Sequence, residues 1–196
     1  DISAKKKGKY NILITARDIL AGNQCLENFA GLGSTVYVGL KEDLTEPMKL
    51  TDGVYSTPKF KSGKGLYRFD CKDDAQQIQG SSLKNNKGFE LTGHFVIDAV
   101  SKLTAKYSRS VNNLKLFFIF LDGEEDSQIL YDPTRNVRFD DGGIKSDTGK
   151  EAKDERTTTF ECKLGPVRYD HLYVTPPTTG GWDSLLANKG TVSPGG

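Results

Sequence analysis

The sequence is poor in the residues on which enzymes and disulfide-stapled proteins depend. It has two histidines, three cysteines, one methionine and one tryptophan in 196 residues. Cys25, Cys71 and Cys162 are odd in number and far apart, which predicts reduced thiols rather than a disulfide framework. There is also no Cys-x-x-Cys pair, no Asn-x-Ser/Thr sequon, no apolar run of membrane-spanning length and no recognisable signal peptide.

An excess of one charge is also lacking. The chain has 27 Lys and Arg against 26 Asp and Glu, for a formal charge of +1, so bulk electrostatics does not favour nucleic acid or a membrane surface as a partner. Its one basic run, Lys5 to Lys9, is interpreted as a flexible start over residues 1–9. The chain begins with Asp1, which leaves open the removal of an upstream segment such as a signal. We otherwise expect a reduced, soluble protein made inside the cell.

Patterns for catalysis are few. Only His94 and His171 are side chains that titrate near neutral pH. His94 is out of phase with the apolar face of its strand, and His171 follows a turn, so we expect structural roles for both. A hydrolase that uses one of them as its base remains a hypothesis, but the absence of a Gly-x-Ser-x-Gly motif places it last among the functions considered. The sequence therefore predicts no enzyme and no catalytic residues.

The acidic and glycine-rich segments do not match known ligand motifs. The EF-hand spacing is absent from the acidic turns at 122–126, 140–143 and 147–149. The glycine runs at 31–34 and 63–65 lack the order of strand, loop and helix that binds phosphate. We therefore predict no cofactor-binding residues, no metal-binding residues and no cofactor.

Most of the chain has the pattern of β-strands. Five alternate residues from Phe89 to Ile97 share one apolar face, and Leu114 to Leu121 is nearly all apolar, as in a strand covered on both faces. Shorter apolar or alternating runs predict strands at 11–14, 36–40, 66–71, 129–131, 137–139, 157–164 and 171–174.

One segment predicts a helix instead. Apolar residues recur at Val100, Leu103, Tyr107 and Val111, the spacing of one helical face, and basic residues fill the other positions. Asp98 or Ser101 can cap its start, and two asparagines follow at 112–113. The prediction is a single α-helix at about 100–112, packed on a sheet.

Long loops and a terminal arm complete the predicted organisation. Residues 41–64 and 140–156 are expected to be irregular, with few residues that can be buried in 41–64. A single β-rich domain is predicted for 10–175, followed by an extended C-terminal arm over 176–196. The arm contains an isolated apolar group of Trp182, Leu185 and Leu186, which its own domain or a neighbouring subunit must cover.

Several of these features together resemble the major tail, or tail-tube, proteins of long-tailed bacteriophages. The order of strand 89–97, helix 100–111 and strand 114–121 is similar to theirs, as are the segments 129–139, 143–149, 154–159 and 180–186. The resemblance covers about residues 66–175 and implies a β-sandwich or barrel-like tail-tube fold with a flanking helix and long loops. The tube lumen of that family is often acidic, and this near-neutral chain has no obvious acidic face.

The resemblance implies a structural virion protein, namely a tail-tube subunit in stacked rings around a DNA channel. Its partners would be copies of itself, other virion proteins and genomic DNA that passes without sequence-specific contact, with no membrane. Its location would be the virion, after synthesis in the host cytoplasm. The loop 41–64 would contact the next ring. Alternatives are a capsid-decorating or connector virion protein, and a recognition module, either a carbohydrate binder or a surface adhesin, that uses Tyr55, Tyr67 and Trp182 as a sugar platform.

Overall fold

Two β-sheets and one flanking α-helix form the part of the chain that the computed structural model describes, residues 32–111, 113–122, 127–151 and 154–187. The predicted mainly β fold class is confirmed. The helix is α1 (Lys102–Val111). The strands are β1 (Thr35–Leu40), β2 (Leu50–Thr51), β3 (Val54–Tyr55), β4 (Tyr67–Asp70), β5 (Gln77–Ser82), β6 (Phe89–Ile97), β7 (Leu116–Phe120), β8 (Ser127–Leu130), β9 (Ile144–Asp147), β10 (Thr157–Val167) and β11 (Tyr173–Val174).

The strands divide unequally between the sheets. The larger sheet has seven strands in the order β2-β3-β11-β8-β7-β1-β4, and the smaller sheet has four in the order β5-β6-β10-β9. Every neighbouring pair is antiparallel except β3 with β11. The smaller sheet is therefore fully antiparallel.

The main core lies between the two sheets. On β6 the residues predicted to share an apolar face point inward, and Phe95 is completely buried. Its ring stacks on Phe160 of β10 with centroids 4.8 Å apart, and it contacts Phe118 and Phe120 of β7 at 5.6 and 6.1 Å. Burial of such aromatic side chains is the main favourable term for the association of the sheets.

A third layer covers the other face of the larger sheet, which explains why β7 is apolar on both faces. All five residues of β7 are buried. Phe117 contacts Phe60 and Tyr131 at centroid distances of 6.5 and 5.7 Å, and Tyr37 of β1 lies 6.3 Å from Trp182. The prediction that β7 is covered on both faces is confirmed.

The segment 41–64 supplies part of this layer, so the expectation that it is an irregular loop with few buried residues is wrong. It contains β2 and β3, and it buries Leu44, Met48 and Tyr55. The hydroxyl of Tyr131 also accepts a hydrogen bond from the Met48 backbone N–H at 3.3 Å. The prediction was wrong because the partners that bury these residues come from distant parts of the chain.

The C-terminal arm supplies the rest of the layer as far as residue 187, and its apolar group packs on the core. The Trp182 side chain is 6% exposed, and its Nε1 donates a hydrogen bond to Ser127 Oγ at 2.9 Å. Leu66 and Leu186 form a parallel bridge. The arm's own domain therefore covers its apolar group. Residues 188–196 lie outside the described part.

The helix begins at Lys102, two residues later than predicted. Ser101 caps it: Thr104 N–H donates to Ser101 Oγ at 3.2 Å, and Ser101 N–H donates to Thr104 Oγ1 at 2.8 Å. The ring of Tyr107 packs between Phe69 and Phe160, at 4.3 and 5.6 Å. Leu103 is 77% exposed, so the predicted apolar stripe is only partly covered.

Some predictions fall outside the described residues: the basic start 1–9, the strand 11–14, Cys25, Gly31 and most of the acidic turn 122–126. The strand predicted at 137–139 is reduced to one bridge between Arg138 and Lys163. Within the described ranges, no helix combines the length and the apolar content needed to cross a lipid bilayer.

Candidate functional site: the edges and exposed face of the smaller sheet

The two histidines lie on separate elements. His94 is on the exposed face of β6, half-buried, with Nδ1 3.0 Å from the Ala75 carbonyl oxygen. His171 lies between β10 and β11, with Nδ1 3.8 Å from Asp170 Oδ2. In the described ranges, neither ring is hydrogen-bonded to a serine, threonine or cysteine side chain, so no pair of nucleophile and base is formed there.

The two described cysteines are buried or half-buried, and the acidic turns do not form a metal site in the described residues. Burial raises the pKa of the Cys71 and Cys162 thiols to about 12, so both stay protonated at neutral pH. Asp140 accepts a hydrogen bond from Lys163 Nζ at 3.0 Å, which lowers the pKa of its carboxyl group. No group of three or more His, Cys, Asp or Glu residues suited to a metal ion is found among the residues that the structure describes.

The proposed sugar platform is not assembled. Tyr55 is 2% exposed and Trp182 is 6% exposed, whereas Tyr67 is 42% exposed on β4. A stacking platform needs accessible ring faces, so the assignment of Tyr55 and Trp182 to it is wrong. Both rings instead bury the outer face of the larger sheet.

The sheet edges differ in how open they are. The outer strands are β2 and β4 in the larger sheet, and β5 and β9 in the smaller one. β2 has two residues. The arm partly covers β4: Leu66 N–H, just before the strand, donates to the Leu185 carbonyl at 2.8 Å, and the Arg68 guanidinium lies 3.5 Å from Asp183. β4 is also charged, and its Arg68 guanidinium lies 2.9 Å from Asp70. Short, charged and covered edges resist pairing with another chain.

β5 has none of these protections. Its sequence, Gln-Ile-Gln-Gly-Ser-Ser, contains no charge and no proline, and all its residues are exposed except half-buried Ile78. It pairs with β6 over its whole length, from Gln77 opposite His94 to Ser82 opposite Phe89. Among the described residues, no backbone hydrogen bond reaches its outer edge. This edge is a six-residue template for another strand.

The position of β5 depends on Gly80. The Asp170 main chain approaches it so closely that a Cβ atom there would lie 2.0 Å from the Asp170 carbonyl oxygen. Sequence reasoning missed β5 because a polar strand with a glycine has no apolar alternation. The turn at residues 83–88, with Asn85 and Gly88 at positive φ immediately before β6, is the hairpin signal that identifies it.

β9 forms the opposite edge of the smaller sheet, inside the segment 140–156 that was predicted to be irregular. Its residues pair antiparallel with the start of β10, Asp147 opposite Thr157 and Ile144 opposite Phe160. Lys145 and Asp147 place charges on this edge strand. Among the described residues, no backbone hydrogen bond reaches the outer edge of β9. β9 is therefore unpaired there, but its two charges make it a poorer template for another strand than β5.

The face of the smaller sheet that points away from the core is mixed in charge. It carries hydroxyls, amides and His94 together with three carboxylates and two amines, a net of −1. Its members are Gln77, Gln79, Ser81, Glu90, Thr92, His94, Val96, Lys145, Asp147, Thr157, Thr159, Glu161 and Lys163. Glu90 is paired with Arg138 at 2.5 Å.

Comparison of the chain with protein-family models, with curated proteins and with solved structures found no match.

Proposed function

We propose that the protein is a structural subunit that assembles with copies of itself into rings, as a tail-tube protein of a long-tailed bacteriophage does. The observation that carries the proposal is the pair of open edges, β5 and β9, on one antiparallel sheet. Main-chain pairing between edge strands joins subunits with little dependence on side chains. A heterologous contact of this kind closes into a ring when the rotation allows it.

Strand direction supports this mode of association. The order β5-β6-β10-β9 alternates in direction at each step. With four strands, the two edges run in opposite directions, so β9 of one copy meets β5 of the next copy antiparallel. A ring of any order then forms a closed barrel in which every neighbouring pair is antiparallel, and closure removes the edges.

The two faces of the smaller sheet support an orientation for the subunit in such a ring. The larger sheet packs on one face of the smaller sheet. In a ring it would occupy the outer side, where the circumference is greater, so the exposed face of the smaller sheet would line the channel. This face has a net charge of −1 and is rich in threonine and glutamine. A polar lining without a basic stripe suits passage of a DNA duplex without tight binding to its phosphates.

The strength of one edge contact can be approximated. A six-residue edge facing a four-residue edge offers about four main-chain hydrogen bonds, each worth about 1 kcal/mol net. A single contact is therefore weak, and ring closure must provide the cooperativity. We expect dilute monomers and concentration-dependent assembly.

Added charge on β5 tests the proposal. The double variant Gln79→Lys with Ser81→Lys should remain folded and monomeric, because lysines on an edge strand disfavour pairing with another strand. The matched control, Thr51→Lys with Ser62→Lys, adds the same charge at two exposed positions of the segment 41–64. It should assemble normally. Negative-stain electron microscopy and analytical ultracentrifugation report both results.

Cross-linking tests which edges meet. Gln79→Cys on β5 and Lys145→Cys on β9 place thiols on the channel face of the two edges, in a Cys25→Ser background. A short bis-maleimide should give a ladder of covalent oligomers with the double variant and none with either single variant. Monodisperse wild-type monomers at every concentration, with no ladder, would contradict the proposed function.

A further inference from the structure

Three cations surround an open cleft at one end of the sandwich. The cleft has a volume of about 560 Å³ and lies where the β5–β6 turn, the turn after β8 and the end of β10 meet. Lys87, Arg135 and Arg168 line it. All three are exposed, and none has an ion pair or side-chain hydrogen bond to another described residue. We call these three residues the basic cleft.

The cleft also contains one carboxylate, Asp132, which leaves it a net charge of +2 and holds the local turn together. Asp132 Oδ1 accepts hydrogen bonds from Thr134 N–H at 2.8 Å, Thr134 Oγ1 at 2.7 Å and Arg135 N–H at 2.8 Å. Lys41 Nζ supports the same turn by donating to the Asp132 and Arg135 carbonyls at 2.8 and 2.9 Å. The turn is thus fixed, and the basic side chains it presents face solvent.

The opposite end of the sandwich is acidic. The described connections there, residues 71–76, 98–101, 147–151 and 154–156, carry seven carboxylates against three cations, a net of −4. Lys72 is paired with Glu155, while Asp73 and Asp98 are exposed and have no ion pair within the described ranges. We call this group the acidic end. Its carboxylates are Asp73, Asp74, Asp98, Asp147, Glu151, Asp154 and Glu155.

The strands of the smaller sheet separate these two surfaces. β6 starts at Phe89, opposite Ser82 and Val167, beside the basic cleft, and finishes at Ile97, opposite Thr158, beside the acidic end. Nine residues of strand span roughly 30 Å, well beyond the screening length of about 8 Å at physiological ionic strength. The two surfaces therefore act on different neighbours rather than on each other.

We propose that the basic cleft receives the acidic end of a second copy of this chain, and that this contact stacks one ring on the next in a single direction. The inference rests on the proposed ring, in which the strand ends face along the ring axis. Stacking in one orientation brings opposite charges together at every interface. A reversed ring brings like charges together, which disfavours it.

Charge reversal tests the contact. Arg135→Glu with Arg168→Glu should form rings that do not stack, with the ring–ring association constant reduced by about tenfold or more. Asp73→Lys with Asp98→Lys should do the same. The four-substitution variant exchanges the signs of the charges at these four positions and keeps the wild-type net charge. Each substituted residue then again faces the opposite charge, so the variant should stack again. Wild-type stacks should be shorter at about 500 mM NaCl than at about 50 mM NaCl, because salt screens the attraction between exposed charges.

The control reverses two cations elsewhere. Lys49→Glu with Arg109→Glu makes the same change in net charge at exposed positions outside both ends and should stack as the wild type does. Stack length is measured by electron microscopy, and the thermal unfolding midpoint of each variant must stay close to that of the wild type. Ring formation is scored independently by the cross-link between β5 and β9, with Gln79→Cys and Lys145→Cys introduced into each variant in the Cys25→Ser background.

Two results would overturn the inference while leaving the ring intact: normal stacking of either charge-reversal pair, or failure of the four-substitution variant to stack. Loss of binding to random-sequence duplex DNA by Arg135→Glu with Arg168→Glu, with stacking unchanged, would assign the cleft to nucleic acid and also overturn it. Absence of the cross-link in the variant with Gln79→Cys and Lys145→Cys and no other change at either end would instead contradict the proposed ring.

Discussion

The larger sheet is covered on both faces, whereas the smaller sheet has one exposed face and two open edges. In the larger sheet all of β7 is buried, and its β4 edge is partly covered by the arm. In the smaller sheet the long strands β6 and β10 alternate between buried and exposed residues. From this comparison we infer that the larger sheet provides most of the stability, and we propose that the smaller sheet provides the surface for association. Four substitutions test this division, ordered by expected effect.

The largest effect is expected in the third layer. Phe117 is fully buried between the larger sheet and the segment 41–64, so Phe117→Ala should lower the free energy of unfolding by about 3–5 kcal/mol. Thr92→Ala, on the exposed face of β6, should change it by less than about 0.5 kcal/mol. Urea denaturation measures both. Similar values for the two variants would contradict the difference between the sheets.

A smaller effect is expected where the smaller sheet contacts the chain beyond β10. Gly80→Ala places a methyl group 2.0 Å from the Asp170 carbonyl oxygen, so β5 or the 170 segment must move, at a cost of about 1–3 kcal/mol. Ser81→Ala, the next residue in the strand, is the control and should be near neutral. Hydrogen exchange of residues 77–82 should increase in the glycine variant alone. Unchanged exchange would mean that the Asp170 contact does not position β5.

A gain in stability is expected where the helix bridges the sheets. The Tyr107 hydroxyl is buried and has no hydrogen-bond partner among the described residues, and burial raises its pKa well above the usual value. Tyr107→Phe should therefore stabilise the protein by about 1 kcal/mol. Tyr67→Phe, at an exposed ring, should have no effect. A loss of stability in Tyr107→Phe would show that the hydroxyl has a partner in solution.

The smallest effect is a pH dependence at the surface of the smaller sheet. A hydrogen bond from Lys163 lowers the pKa of Asp140 below its ordinary value of 3.8, so the ionised carboxylate stabilises the fold above that value. This contribution is lost as the pH falls through the lower, folded pKa. Asp140→Asn should thus be slightly less stable than wild type at pH 7 and equal to it near pH 2, whereas neighbouring Asp141→Asn should match wild type at both. Thermal melts at the two pH values measure the difference.

The central strands and the helix were predictable because their signals are local. The alternation of β6 and β10, the apolar run of β7 and the helical spacing of Tyr107 and Val111 each depend only on near neighbours in sequence. The edge strands β5 and β9 were not predicted, since an edge strand that is polar on both faces has no alternation to detect. The burial of Tyr55 and Trp182 was missed for another reason: their partners, Tyr131 and Tyr37, are far away in the chain.

The sequence favours the kind of site that we propose but does not indicate its position. The scarcity of histidine and of metal-ligand spacing turned attention to association between copies, but the residues that would take part are the unremarkable Gln77 to Ser82. The loop chosen from the sequence for contact between rings, 41–64, is packed into the larger sheet. This segment contains β2, β3 and buried Tyr55, so its removal should destabilise the subunit itself.

The direction of the strands in the smaller sheet has a mechanical consequence. They run from the acidic end to the basic cleft, so tension along a stack of rings would act parallel to them. The hydrogen bonds between neighbouring strands would then be loaded in shear and would have to break together. A force across the sheet would peel them apart one at a time. A tube built in this way would resist tension along its axis far better than separation of neighbouring strands around its circumference.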